Sequence, residues 1–252
     1  MQFASLGSGS KGNATLVEGR DTLVLVDCGF SIKQVRKRIE SLNRSCDDIE
    51  AILVTHEHGD HIKGVGALAR NLSVPVYVTV GTQRAARDLH GVELRQISPH
   101  HHFQVGCLDI EPVAVPHDAR EPCQFVFAQN GRRLGVLTDL GSITSHVIDC
   151  YERCDALLLE CNHDQDMLYE GAYPWPLKQR VGGDWGHLNN DQAAALLRSV
   201  DRSCLQHLVV AHISEQNNTE EKARAAVAAE LGDATRLSVA KQDEGFDWLR
   251  VD

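Results

Sequence analysis

Thr55-His56-Glu57-His58-Gly59-Asp60-His61 follows directly on the apolar run Ala51-Ile52-Leu53-Val54. A short apolar run of this kind reads as a buried strand, which delivers His56 at its C-terminal end. Gly59 lets the chain turn, and a helix starting near Asp60 aims Asp60 and His61 at a neighbouring point. His56, His58, Asp60 and His61 thus put four metal-binding groups within six residues, a density that a solvated polar loop has no reason to reach. Two adjacent metal sites become possible. Imidazole suits zinc, iron or manganese, and added carboxylate shifts the preference toward harder ions such as manganese.

The same kind of ending recurs along the chain. Val113-Ala114-Val115-Pro116 runs into His117, Gly135-Val136-Leu137-Thr138 into Asp139, and Leu208-Val209-Val210-Ala211 into His212. Sites in sheet-based folds gather beyond the carboxyl ends of strands, so these endings are candidates for one shared pocket. Taken singly, a His after a strand reads more readily as a hydrogen-bonded structural residue. Together with the first motif they fill two coordination spheres.

Working outward, strands are expected at 22–26, 51–54, 108–115, 124–128, 134–137, 156–159 and 208–211. Helices are expected at 31–42, where Ser31 and Gln34 suit a capping box, and at 62–70, 82–89, 190–200 and 219–231. The alternation makes the fold class α/β. The strands between 108 and 137 have few helical residues among them, which points to an antiparallel portion and to two packed sheets covered by helices. The stretch 169–186, rich in Gly, Pro and Trp, reads as an irregular loop able to roof a site.

A chain of 252 residues suits one large domain, and residues 1–252 are taken as a single unit. Its composition, 42% hydrophobic and 24% charged, is that of an ordinary globular protein. No apolar stretch approaches a membrane span, and Met1 to Ser10 lacks the basic flank and apolar segment of a secretory signal. The expectation is a cytoplasmic chain with no membrane partner. Its eight cysteines are scattered and read as reduced thiols. Cys150, Cys154 and Cys161 lack the spacing of a thiolate metal site. The net charge of -10 argues against a broad cationic face for nucleic acid, although bound ions would add local positive charge.

Thr-His-Glu-His-Gly-Asp-His followed by a distant His, Asp and His resembles the metallo-β-lactamase fold superfamily. Ser8-Gly9-Ser10-Lys11-Gly12-Asn13, Pro116-His117-Asp118-Ala119, Gly186-His187-Leu188-Asn189-Asn190 and Ala211-His212-Ile213-Ser214 resemble, more narrowly, its YycJ/WalJ-like branch. The resemblance implies a four-layer αββα sandwich, two divalent ions (manganese or zinc, or iron), and 5'-to-3' exonuclease activity on DNA. Carried over by motif, His56, His58 and His117 hold one ion, Asp60, His61 and His212 the other, and Asp139 bridges them. Where some β-lactamases place a Cys ligand this chain supplies carboxylate, which disfavours antibiotic hydrolysis.

Two ions about 3.5–4 Å apart lower the pKa of a bridging water and clamp the attacking and leaving oxygens of a phosphodiester. The resulting hydroxide attacks phosphorus in line. The catalytic candidates are Asp60, within the ligand set, and His187, which resembles the general-acid His of related phosphodiesterases. His187 also reads as a helix-entry residue, because Asn189 or Asn190 could cap the helix that follows. Ser8, Ser10 and Asn13 lie in a Gly-rich turn that offers amides and hydroxyls to a phosphate, and a plain β-turn explains the same residues. Asp27 reads as a carboxylate orienting a ligand His or as an ordinary strand-end residue.

Other substrates share the ligand pattern. A small cyclic-nucleotide phosphodiesterase or an RNA-processing nuclease stands nearest, and a glyoxalase-II-like thioesterase further off, since little chain follows His212 for its helical substrate domain. Oligomeric state is not legible. His100-His101-His102 reads as exposed, Ala223 to Ala229 as the buried face of a helix, and Trp175, Trp185 and Trp248 as packing residues.

Overall fold

The computed structural model describes residues 1–233 and 235–252. Its first sheet contains β1 (Gln2–Gly7), β2 (Ala14–Glu18), β3 (Leu23–Val26), β4 (Ile49–Leu53), β5 (Val76–Thr79) and β6 (Leu94–Ile97). The second contains β7 (Phe103–Val105), β8 (Leu108–Ala114), β9 (Cys123–Gln129), β10 (Arg132–Leu137), β11 (Ala156–Glu160), β12 (His207–Ala211) and β13 (Arg236–Val239). β14 (Phe246–Arg250) crosses back and pairs with β1.

The orders are β14-β1-β2-β3-β4-β5-β6 and β13-β12-β11-β10-β9-β8-β7. Each sheet is half antiparallel and half parallel. The parallel halves run from β3 to β6 and from β10 to β13.

Alternation along the strands builds the layers. In β11, Ala156 and Leu158 face the other sheet while Leu157 and Leu159 face outward; in β12, Val209 and Ala211 face in while Leu208 and Val210 face out. β3 repeats this with Val24 and Val26 against Leu23 and Leu25. The inner faces meet through Phe3, Phe125, Phe127 and Leu108, all fully buried. Outside the first sheet, α1 (Ile32–Glu40) contributes Val35 and Ile39, and α3 (Val65–Leu72) contributes Val65 and Leu68. Outside the second, α5 (Ser145–Tyr151), α8 (Asn190–Ser199) and α9 (Glu220–Ala228) contribute Val147, Leu196, Leu197, Ala223 and Val227. The architecture is the expected α/β sandwich of helix, sheet, sheet and helix layers.

Element boundaries differ from expectation for local reasons. Ser31 and Gln34 form the capping box. The helix expected at 62–70 is two pieces, α2 (Gly59–Ile62) and α3, because Gly64 is pressed against another segment. Its N–H donates to Cys28 O at 2.7 Å, and a Cβ there would lie 1.9 Å from Phe30 O. α4 (Val80–Ala85) stops short of the expected Leu89 because Ala86 is extended. Residues 169–186 are not wholly irregular: they hold the end of α6 (Gln165–Glu170) and all of α7 (Trp175–Val181), with Pro near its N-terminus.

Trp175 and Trp185 correct the packing expectation, being 59% and 64% exposed. Trp248 does pack, and its Nε1 donates to Leu42 O. His100, His101 and His102 are exposed. All eight cysteines are free, and Cys150, Cys154 and Cys161 sit in the outer apolar cluster of the second sheet. No helix among the described residues is long and apolar enough to cross a membrane.

Candidate metal centre

Six strands end at one place. β3 runs into Asp27, β4 into Thr55 and His56, β8 into His117, β10 into Asp139, β11 ends on Glu160, and β12 runs into His212. Three of these residues have left-handed backbone, Asp27 (φ 60), Asp139 (φ 54) and His212 (φ 53). Such conformations cost about 1–3 kcal/mol in a non-glycine residue and persist where the surroundings over-determine them. The sharp turn at each strand end swings its side chain back over the rim of the sheets.

The side chains form overlapping clusters. Ligand-type atoms of His56, His58 and His117 lie within 4.8 Å of one another, as do those of Asp60, His61 and His212. Asp139 belongs to a third such group with His56 and His61, and to a fourth with Glu160, His187 and His212. Its Oδ1 is 3.4 Å from His212 Nε2 and its Oδ2 is 3.2 Å from His61 Nε2, both in the second triad, while its grouping with His56 links it to the first.

The polar atoms fit a cation. Among the described residues, His56 Nε2 is buried without a hydrogen-bond partner, and the buried Asp139 Oδ2 makes no well-aligned hydrogen bond, meeting only His61 Nε2 at 3.2 Å. Buried polar atoms are rarely left so, because the lost solvation goes uncompensated. An imidazole nitrogen and a carboxylate oxygen aimed at the same place are matched donors for zinc, manganese or iron.

Protonation follows the same electrostatics. Burial pushes the His56 imidazole well below its ordinary pKa, and the neighbouring His61 adds to this. Burial would also lower His61 and His212, but the carboxylates prevail. Asp139 and Asp27 hold His61 well above the ordinary value, and Asp139 and Asp60 raise His212 to about 9. Asp139 and Asp60 are in turn held well below the carboxylate range against burial, Asp139 by His212 and His61, Asp60 chiefly by His61. Protons on His61 and His212 supply the positive charge that the carboxylates demand.

Outer partners orient the imidazoles. Asp27 Oδ2 is 2.8 Å from His61 Nδ1, and the same carboxylate accepts from Thr55 N and Thr55 Oγ1, both at 2.8 Å. His117 Nδ1 is 2.9 Å from Gly186 O, and Asn162 Nδ2 is 3.1 Å from His212 Nδ1. Contacts of this kind fix which ring nitrogen faces a metal. Of the expected substrate contacts, only Ser10 lines the cavity. Ser8 Oγ accepts from His212 N at 2.9 Å, and Asn13 Nδ2 lies 3.3 Å from Asp60 Oδ2 and 3.0 Å from His61 Nε2. Both spend their polar atoms holding the cluster.

His187 joins the site through a residue that the sequence reading passed over. Glu160 is fully buried, and its Oε1 is 2.7 Å from His187 Nδ1. Its Oε2 accepts from Leu188 N at 3.0 Å and Leu140 N at 3.2 Å. Burial lowers the His187 pKa, but the Glu160 carboxylate outweighs it and the net shift is upward. Helix capping falls to Asn189, which forms a capping box with Gln192, so His187 has no structural task there.

The cluster opens into a cavity of about 350 Å³ whose wall includes His58, Asp60, Asp139, His187 and His212. α7 closes its far side with Leu177, Arg180 and Val181, so residues 169–186 do roof the site. Arg180 Nε is paired with Asp118, and Asp118 Oδ1 is 3.5 Å from His117 Nε2.

A family model described as "Beta-lactamase superfamily domain" matches residues 22–213. The chain is 36% identical over 239 residues to the exodeoxyribonuclease YycJ of Bacillus anthracis, spanning 92% of this chain and 89% of that one. It is 35% identical over 240 residues to the exodeoxyribonuclease WalJ of Streptococcus pneumoniae, with the same coverage of 92% and 89%. Among solved structures, the metallo-β-lactamase fold protein YhfI of Bacillus subtilis superposes with a TM-score of 0.75 at 18% identity, covering 98% of each chain.

Proposed function

This chain belongs to the beta-lactamase superfamily, whose fold serves metal-dependent hydrolysis, and we propose that it is a two-metal phosphodiesterase that removes nucleotides from the 5' end of DNA. The observation that carries the reading is that buried Asp139 groups with His56 of one candidate triad and with His61 and His212 of the other, while His56 Nε2 is buried without a partner among the described residues. Similarity to exodeoxyribonucleases over nine-tenths of the chain supports a nucleic-acid substrate.

In this reading His56, His58 and His117 would hold one ion and Asp60, His61 and His212 the other, with Asp139 available to both. When bound, the ions lower the pKa of water and neutralise charge on the phosphate. Asp27 keeps the His61 ring in register, Gly186 O that of His117 and Asn162 that of His212 through the contacts described above. Asp60 contributes one carboxylate to the wall of the cavity, where its oxygen is fixed by Asn13. Ser10 meets the substrate at the mouth.

His187 performs the proton chemistry. Its Nδ1 is engaged by Glu160, so Nε2 is the atom left to give a proton to the leaving 3'-oxygen. The upward shift of its pKa, driven by the Glu160 carboxylate, favours the protonated ring. α7 above the cavity limits the water that competes for the site.

The test is digestion by the manganese- or zinc-supplemented protein of 5'-labelled single- and double-stranded DNA beside RNA, a cyclic nucleotide and an acyl-glutathione. The proposal expects mononucleotides from DNA. Turnover of the acyl-glutathione or the cyclic nucleotide alone would overturn it.

A further inference from the structure

A second cavity, of about 510 Å³, lies beside the first and shares His58 and Gly59 with it. Its other lining residues include Glu57, Lys63, Arg87 and Asp88. A Cβ on Gly59 would meet nothing within 4 Å, so nothing from the protein covers the junction at that point. The two cavities therefore meet across the rim of the metal cluster.

The charges in the second cavity are unevenly committed. Asp88 is held by Arg70 at 3.0 Å and faces His90 at 3.3 Å. Glu57 Oε1 accepts from Arg120 N at 2.7 Å, and its Oε2 accepts from Thr82 Oγ1 at 3.4 Å. Lys63 and Arg87 are exposed and form no ion pair among the described residues. Asp88 is charge-paired with Arg70 and Glu57 is turned onto Arg120 N and Thr82 Oγ1, whereas Lys63 and Arg87 have no carboxylate partner among the described residues, in a chain whose net charge is -10. Free cations concentrated at one groove of an acidic protein select a polyanion at that groove.

We infer that the two cavities form one track for a single nucleic-acid strand, which crosses the metal cluster at His58 and Gly59 and places its flanking phosphates against Lys63 and Arg87. The inference rests on the phosphodiesterase reading and specifies its substrate as a polynucleotide. A mononucleotide or cyclic nucleotide would fill the first cavity and leave the second unused. Cavities of a few hundred Å³ take nucleotide-sized groups one at a time, which suits an unpaired strand. Arg180, tied to Asp118, is among the described residues the one cationic side chain other than imidazole lining the first cavity, and meets the strand there.

The track is tested by fluorescence anisotropy with the manganese-loaded full chain, comparing a hydrolysis-resistant phosphorothioate DNA 12-mer with a dinucleotide. Wild-type protein should bind the 12-mer at least tenfold more tightly. Lys63→Gln with Arg87→Gln should remove most of that difference and reduce the slope of log affinity against log salt by about 1.4, or ~0.7 for each lost phosphate contact to a single strand. Both positions are exposed, so the fold survives the exchange. Equal affinity for the two ligands in wild type, or an unchanged salt slope in the double variant, would overturn the track. Tight length-dependent binding without cleavage of ordinary DNA would leave the track standing and defeat the phosphodiesterase reading instead.

Discussion

Glu160 Oε1 lies 2.7 Å from His187 Nδ1, with the carboxylate fully buried at the end of a central strand. The pair couples the proposed proton donor at the cavity wall to a buried carboxylate. Glu160→Gln removes that charge while keeping the shape. His187 then loses its proton at lower pH, so the alkaline limb of the kcat profile should move to lower pH. Activity at neutral pH should fall roughly 10- to 100-fold, the usual effect of losing an orienting partner. Metal content should be retained. A pH profile that coincides with wild type would contradict the role of His187.

Metal uptake should release protons. His61 is held well above its ordinary pKa and His212 at about 9, so both carry protons at neutral pH in the metal-free protein. A metal requires the neutral imidazole. Manganese or zinc binding should therefore liberate about two protons per chain at pH 7, and affinity should climb with pH until both rings are neutral. Calorimetry in buffers of different ionisation enthalpy counts the protons. No release at pH 7 would show that His61 and His212 are not ligands.

At position 139 the backbone separates strain from chemistry. With φ at 54, Asp139→Gly tolerates the conformation and Asp139→Ala does not. Both variants should lose the metal cluster and nearly all hydrolysis. The Gly variant should nevertheless be more stable than the Ala variant by about 1–2 kcal/mol in urea unfolding. Wild-type activity in either variant, with metal bound, would remove Asp139 from the centre.

Gly29 sets the position of Asp60. A Cβ at Gly29 would lie 2.0 Å from Asp60 O and 2.6 Å from Gly12 Cα. Gly29→Ala must push the Asp60 turn away from the Ser8–Asn13 segment, at a cost of about 1–3 kcal/mol. Metal affinity should fall with it. Unchanged affinity beside lowered stability would mean that the turn moves without carrying Asp60.

The cluster of candidate ligands was legible because its members follow apolar runs directly, and the β4 ending packs four of them within six residues. Glu160 follows Ala156-Leu157-Leu158-Leu159 in the same way and was passed over. Applied evenly, the strand-end rule would have found it, as it found Asp27 after Leu23–Val26. The edge strands β13 and β14 carry too little apolar alternation to stand out, since one side of an edge strand pairs with nothing. α7 was hidden by the Gly and Pro residues around it, although Pro at the start of a helix is permissive. Trp175 and Trp185 show that the size of an apolar side chain does not decide its burial; what packs over it does.

The central claim is metal-dependent phosphodiester hydrolysis at a two-ion centre. Its most direct measurement is the rate of mononucleotide release from 5'-labelled single-stranded DNA as manganese is titrated into metal-free protein. The rate should be negligible without metal, rise with added ion, and saturate at about two equivalents per chain. Undiminished cleavage in the presence of chelator, or none at any manganese level, would contradict the claim.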